Sequence, residues 1–88
     1  MVSLRILRTL VAVVDSGSFV AGARSCGYST AQVSRQMNQL QRRLGAQLFE
    51  KNGRILRATP LGVRVAEQAR ELVAEADRFD RFVRSDIN

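Results

Sequence analysis

Serine and glycine residues divide the first 45 positions into three short segments, each with apolar residues at helical spacing. Residues 3–15 carry Leu, Ile and Val at helical intervals and end before Gly17, which can adopt the left-handed conformation that terminates helices. Residues 19–25 end in the same way before Gly27. This pattern predicts short helices that must pack together, because none of them can bury its apolar face alone.

The third segment begins with a capping box. Ser29 is followed by Gln32 at the third helical position, so each side chain can bond the backbone N–H of the other residue. The predicted helix covers Thr30 to Leu44, and Gly45 ends it. Its inward face is predicted to consist of Val33, Met37, Leu40 and Leu44.

The second and third segments have the features of a helix-turn-helix. Two helices that cross over a short turn need a small residue at their contact, a glycine in the turn and an apolar residue on the second helix. Ala23, Gly27 and Val33 meet these needs. Any helical hairpin could share the three residues, but the capping box favours a helix-turn-helix. The inward residues of the second helix are predicted to be Phe19, Val20, Ala23 and Cys26.

A β-hairpin is predicted after the third helix. Leu48-Phe49-Glu50 and Ile55-Leu56-Arg57 are short strand candidates, and Lys51-Asn52-Gly53-Arg54 lies between them. Asn-Gly is a strong signal for a type I′ turn, which needs positive φ at both central residues. The result would be a hairpin with Lys51 and Arg54 at a basic tip.

A long helix is predicted from Thr59-Pro60, a helix cap followed by proline at the first helical position, to about Arg84. Its apolar residues are spaced by four and three, which is the heptad seam of paired helices. The seam could also pack on the chain's own head, and we expect both arrangements in part. The predicted dimerisation residues are Val65, Ala69, Leu72, Val73, Ala76, Phe79 and Val83.

The formal net charge of +6 is unevenly distributed. Residues 1–59 carry eight Arg and one Lys against Asp15 and Glu50, a balance of +7, and residues 60–88 carry five Arg against six acidic residues. No acidic residue occurs over 16–49. A basic module predicts a polyanionic partner, either nucleic acid or an acidic membrane.

Several function classes are disfavoured by composition. With Cys26 as the single cysteine and no histidine, the chain has no internal disulfide, no zinc-ligand spacing and no base for a catalytic triad. We therefore expect no cofactor, no metal and no enzyme, a buried Cys26, and a reducing cytoplasm. No apolar run approaches the roughly 20 residues of a membrane span, and the charge-balanced long helix is unlike a membrane-surface helix.

The exposed face of the third helix lacks acidic residues, whereas a solvated face usually mixes Glu and Lys. Gln and Asn can hydrogen-bond adenine, Arg can bond guanine or phosphate, and a helix N-terminus favours phosphate. At the hairpin tip, Lys51 and Arg54 could enter a minor groove or form a simple charged turn. The candidate DNA-binding residues of the helix are Ser29, Thr30, Ala31, Gln32, Ser34, Arg35 and Asn38. The alternative function is a protein-interaction module that docks a partner on the helical hairpin.

The order of these motifs resembles the N-terminal region of the LysR-type transcriptional regulators. Gly17-Ser18-Phe19 with Ala23-Arg24 resembles the second helix of that family, and the segment from Ser29 to Met37 resembles its recognition helix. The segment from Leu44 to Glu50, with Arg54 and Thr59-Pro60-Leu61-Gly62, resembles its wing and the start of its linker helix.

The resemblance implies a mainly α fold, a winged helix-turn-helix with a long dimerising linker helix. Residues 1–59 would form the DNA-binding head and residues 60–88 the linker helix. The implied function is sequence-specific binding of double-stranded DNA by a bacterial homodimer, with a tetramer allowed in a longer protein. Family members usually continue into an effector domain, so we expect this chain to be part of a longer regulator that senses a small molecule through that domain.

Four residues depart from the family pattern. Gly22 stands where Ala is frequent, which would cost about 1 kcal/mol in a helix interior. Cys26 stands where Leu is frequent, and Gln41 replaces a usual Glu and makes the third helix more basic. Asn52 stands where a basic wing residue is common, which weakens the expected wing contact.

Overall fold

A computed structural model describes residues 2–87, so positions 1 and 88 of the predicted domain limits lie outside the described residues. The described chain is mainly helical, as predicted, with one antiparallel hairpin between the third and fourth helices. Its elements are α1 (Leu4–Ser16), α2 (Phe19–Cys26), α3 (Thr30–Leu44), β1 (Phe49–Asn52), β2 (Ile55–Ala58) and α4 (Pro60–Asp86).

Local capping explains where the helices begin and end. The Ser18 side chain accepts a hydrogen bond from the Ala21 N–H at 3.0 Å, which satisfies a free donor at the start of α2. The predicted capping box of α3 is present, with both reciprocal bonds between Ser29 and Gln32. Gly27 ends α2 with φ +76°, a left-handed conformation that also makes the turn into α3.

The core lies where α1, α2 and α3 meet the segment before the hairpin. Leu10, Val33, Met37 and Leu48 are fully buried there. Phe19 packs edge-on against Phe49 with ring centroids 5.0 Å apart, which joins α2 to the first residue of β1. The hairpin is therefore anchored to the helical core through its base.

Three inward predictions need correction. Val20 is 56% exposed because α2 buries Gly22 and Ala23 instead and turns Val20 outward. Leu44 is 42% exposed because it lies in the last turn of α3, at the rim of a surface groove. Cys26 is half-buried rather than buried, since it is the last residue of α2 and borders the turn.

Gly22 lies at the contact between α1 and α2. A Cβ atom on this residue would lie 2.6 Å from Val13 Cγ2 and 2.9 Å from Val13 Cα, closer than real Cβ atoms approach. From the sequence alone, this glycine only lowers the helix propensity of α2. The structure shows that it permits close packing of two backbones. Ala at this position would separate the helices.

We therefore predict that Gly22→Ala destabilises the chain by about 1–3 kcal/mol through overpacking, despite a propensity gain of about 1 kcal/mol. Urea unfolding followed by circular dichroism measures the change. Ser25→Ala is the matched control, because Ser25 is exposed on the same helix and should gain slight stability. A Gly22→Ala protein as stable as the wild type would contradict the assigned packing.

The hairpin turn differs from the prediction by one residue. Asn52 pairs with Ile55, so Asn52 belongs to β1 and the loop consists of Gly53 and Arg54. Gly53 has φ +69°, and no non-glycine residue among positions 2–87 has positive φ. Glycine at the first central position is the pattern of a type II′ turn. The type I′ turn predicted on Asn52-Gly53 is wrong, because strand pairing extends one residue further.

The first turn of α4 is fastened to the residue before the hairpin. The Thr59 N–H donates to the Leu48 carbonyl at 2.9 Å, and Thr59 Oγ1 donates to the Gln47 carbonyl at 2.9 Å. A Cβ atom on Gly62 would lie 2.1 Å from the Leu48 carbonyl oxygen, so only glycine fits there. This close approach holds α4 against the head.

From this point α4 runs antiparallel to α1. An ion pair joins Asp15 to Arg70 and another joins Arg8 to Asp77, the second at 2.7 Å. Ala66 is fully buried at the contact with the head. Arg8, the partner of Asp77, lies only one turn from the start of α1. The turns of α4 that follow Asp77 therefore extend beyond the head. The molecule is elongated, with dimensions of 50 × 24 × 18 Å.

The Arg8 guanidinium, hydrogen-bonded to Asp77, lowers the pKa of this carboxyl below its ordinary value of 3.8. The same bond raises the pKa of Arg8. A group whose pKa is lower in the folded state stabilises the fold when it is ionised in both states. This contribution is lost as the pH falls through the folded pKa.

We predict that Asp77→Asn lowers stability near neutral pH and that its difference from the wild type disappears as the pH falls below about 4. Thermal unfolding over a pH series measures this difference. Glu71→Gln, at an exposed position on the same helix, serves as the control for loss of an acid. An Asp77→Asn difference that stays constant across the acid range would exclude a role for the ion pair.

Candidate nucleic-acid interface

The outward face of α3 is the centre of the candidate site. The opposite face of the helix is buried through Val33, Met37 and Leu40, so the polar face must point away from the core. Of the predicted residues of this helix and its cap, Ser34 is half-buried and the others are exposed: Ser29, Thr30, Ala31, Gln32, Arg35 and Asn38. The structure therefore leaves all the predicted α3 residues accessible.

The capping box restricts two of these residues. The Gln32 side-chain oxygen accepts a hydrogen bond from the Ser29 N–H at 2.8 Å, and Ser29 Oγ accepts one from the Gln32 N–H at 3.1 Å. A side-chain amide that reads adenine needs its oxygen and its NH₂ group together. Because the cap already fixes the Gln32 amide, these two residues hold the start of α3 more directly than they read bases.

A groove joins α3 to the hairpin. Thr30 and Ser34 line it from the helix, and Arg54 lines it from the hairpin tip. These three predicted residues, far apart in sequence, are thus brought to one surface. Lys51 is exposed, but it belongs to β1, where it pairs with Leu56 of β2. It therefore lies on the strand and not at the tip, where it was predicted.

The same groove contains two residues that the sequence analysis missed. Val20 and Ile55 are 56% and 55% exposed, and both line the groove. They form an apolar border between the basic tip and the start of α2. Helical and strand periodicity could not identify them, because apolar residues at these spacings read as core residues.

A second cleft lies beside the C-terminal half of α3. It is lined by Asn38, Gln41 and Arg42 from the helix and by the loop that leads to β1. The Gln41 side-chain oxygen accepts hydrogen bonds from the N–H groups of Leu48 at 2.8 Å and Phe49 at 3.2 Å. From the sequence, Gln41 stands out only as a change of charge, since no local pattern reveals a hydrogen bond between residues seven positions apart.

The comparisons with known proteins agree with this architecture. The family model described as "Bacterial regulatory helix-turn-helix protein, lysR family" matches residues 4–63, more than half of the chain. The chain belongs to the LysR family. This confirms the family that the sequence resembles.

One curated relative is the small neutral protease regulatory protein of Streptomyces coelicolor, 34% identical over 82 residues. The match covers 93% of this chain and 25% of that protein, so the chain spans about a quarter of the relative's length.

Two solved structures are complexes of DNA-binding domains (DBDs) with DNA. The BenM DBD with catB site 1 DNA has a TM-score of 0.85 and 33% identity, covering 93% of this chain and 92% of that one. The CbnR DBD–DNA complex has a TM-score of 0.85 and 29% identity, covering 98% and 99%. The predicted winged helix-turn-helix fold is thus confirmed, with the hairpin as the wing and the chain as a LysR-type DNA-binding domain.

The long helix of this LysR domain has two different apolar faces. Ala69 is buried in the head's core, and Val73 packs against that core. Leu72 and Phe79 are 52% and 66% exposed, and Phe82 is exposed beside them. The seam predicted from the heptads is therefore divided, since Val65 also packs against the core. The exposed Leu72, Phe79 and Phe82, with the half-buried Ala76 and Val83, form what we call the outer stripe.

Two absences apply to the described part of the chain. No helix in residues 2–87 combines the length and apolarity needed to cross a bilayer. Over the same residues, no group of three or more His, Cys, Asp or Glu side chains could hold a metal ion.

Proposed function

We propose that this chain is the DNA-binding and dimerisation part of a bacterial transcriptional regulator. It binds double-stranded DNA in a sequence-specific manner, with α3 in the major groove and the wing in the minor groove. The observation that carries this proposal is the exposed, acid-free face of α3, which shares one groove with Arg54. A major groove about 12 Å wide admits such a helix.

The roles of individual residues follow from their positions. Arg35, exposed on α3, would bond guanine or phosphate, and Thr30, Ala31 and Asn38 would meet base edges. Half-buried Ser34 and the capped N-terminus of α3, with Ser29 and Gln32, suit backbone phosphates. Arg54 would enter the minor groove, while Lys51 on β1 would contact the DNA backbone.

The outer stripe of α4 supports a homodimer. Large apolar side chains that remain more than half exposed, such as Leu72 and Phe79, indicate a surface that a second copy covers. Two paired chains would place their α3 helices about 34–36 Å apart, one turn of DNA. In this sense residues 1–59 act as the head and residues 60–88 as the linker helix, although Ala66 and Ala69 also complete the head's core.

Wider roles belong to a longer protein. The relatives named as regulators support a role in transcriptional regulation. We further propose that the regulator acts in the cytoplasm and has no enzyme activity. A small-molecule effector would act through a C-terminal domain, and a tetramer would need that domain. A protein-interaction module is less favoured, because the α3 face is polar and basic and not apolar or acidic.

The groove contacts are tested with Arg35→Ala and Arg54→Ala. Each should weaken binding to a duplex selected by the wild-type chain from a random pool by about 5- to 150-fold, the equivalent of about 1–3 kcal/mol. Fluorescence anisotropy measures the affinity and thermal unfolding measures the fold. Arg81→Ala, exposed on the distal part of α4, is the control for lost charge. If either groove variant binds as tightly as the wild type, its assigned role is wrong.

The dimer is tested with Phe79→Glu. Because this side chain is exposed in the single chain, the change should leave the head folded but produce monomers and weaken binding to two half-sites by about tenfold or more. Analytical ultracentrifugation measures the mass. Ala74→Glu introduces the same charge at an exposed position outside the stripe. A Phe79→Glu protein that remains dimeric would disprove the stripe interface.

A further inference from the structure

Gln41 connects α3 to the start of the wing. Both hydrogen-bond partners of its side-chain atom, Leu48 N and Phe49 N, are donors, so the accepting atom must be the carbonyl oxygen Oε1. Leu48 and Phe49 are buried residues, and backbone N–H groups in such places need a partner. One side chain thus satisfies two donors at the point where the chain leaves α3 and enters β1.

The segment held by Gln41 is also held from the other side. The Leu48 carbonyl accepts the Thr59 N–H at 2.9 Å, and Gly62 approaches the same oxygen closely. The segment before the wing is therefore fixed between α3 and the first turn of α4. Any shift of this segment would move the wing and α4 together relative to α3.

Arg54 depends on this attachment. It lies at the tip of a two-stranded hairpin whose base begins at Phe49. A two-stranded hairpin has little stability of its own, so its direction depends on how its base is attached. Without the Gln41 bonds, Phe49 would keep its ring contact with Phe19, but nothing on α3 would bond the two N–H groups at the base.

The cleft beside Gln41 is rich in hydrogen-bond donors. Gln41 lines it together with Asn38 and Arg42, a donor-rich pair on the same face of α3. With Oε1 directed at the two backbone N–H groups, the rest of the planar amide offers only Nε2, a second donor. A Glu could accept the same two bonds, so the attachment alone does not require an amide. The amide differs by removing a negative charge from this cleft.

We propose that Gln41 is a positioning residue for DNA binding that also favours a DNA phosphate in the adjacent cleft. Its Oε1 fixes the wing on α3, and its neutral amide keeps the cleft beside Asn38 and Arg42 free of negative charge. This inference rests on the proposed function, since it requires that α3 and the wing face a duplex.

Gln41→Glu tests the effect of a negative charge while the attachment of the wing is kept. It keeps an acceptor for both N–H groups, so the melting temperature should stay within about 2 °C of the wild type. Affinity for a random-sequence duplex of about 30 base pairs should fall about threefold or more near 50 mM salt, from one added charge close to a phosphate. The difference should shrink as salt screens that charge.

Gln41→Met tests the loss of the attachment without adding a charge. It keeps the length of the side chain but removes the acceptor, and the two unsatisfied N–H groups should lower the melting temperature by about 4–8 °C or more. Well below that temperature, Arg54→Ala should weaken DNA binding less in the Gln41→Met background than in the wild type. A residue that served only the stability of the head would leave the effect of Arg54→Ala unchanged.

Gln39→Glu is the matched control, because Gln39 is exposed on α3 and does not line the cleft. Equal losses of DNA affinity in Gln39→Glu and Gln41→Glu would overturn the cleft assignment. An Arg54→Ala effect on DNA affinity that is unchanged in the Gln41→Met background would overturn the positioning role. If the wild-type chain does not bind the duplex, the proposed function itself fails. If it binds and Gln41→Glu binds equally well, only the inference about Gln41 fails.

Discussion

The backbone of Leu48 joins α3 and the wing, which we propose contact DNA, to α4, which we propose pairs two copies. Its N–H bonds Gln41 on α3, its carbonyl accepts the Thr59 N–H, and its side chain is fully buried. The wing begins at the next residue, Phe49. Since α3, the wing and α4 all meet at this one residue, they form a unit whose relative directions are constrained by hydrogen bonds and steric contact.

The charges are arranged so that the α3 face remains basic. The head's Asp15 pairs with Arg70, and Asp77 of α4 pairs with Arg8, both on the contact between α1 and α4. These exposed pairs contribute little to stability, because solvent screens them. The positive charge of the α3 face has a simpler cause, since the helix carries Arg35, Arg42 and Arg43 and no acidic residue.

Helix α4 performs two tasks because small and large apolar residues occupy different faces. Gly62, Ala66 and Ala69 permit close packing on the head, while Leu72 and Phe79 stay outside. A helix rich in large residues on both faces could not approach Leu48 so closely. The division also means that a second copy could cover the outer stripe without disturbing the core that supports α3.

Local chemistry made the helices predictable. The ends of α3 agree with the prediction at Thr30 and Leu44, because its capping box and terminal glycine act within a few residues of each other. Most of the inward face of α3 was also predictable, since burial of Val33, Met37 and Leu40 follows from their spacing. Leu44 is the exception, because it lies in the last turn and is exposed. These interactions depend on neighbours in the sequence, so the amino-acid order alone specifies them.

The features that the sequence left undetermined depend on distances between elements. Gly22 looks like a weak helix former until Val13 of α1 lies against it, and Gln41 looks like a change of charge until Leu48 and Phe49 meet its oxygen. Val20 reads as a core residue until the packing of α2 turns it toward the wing. Such contacts join residues of different parts of the fold, beyond the reach of one helical turn, and no periodicity or capping rule gives the distance between two packed backbones.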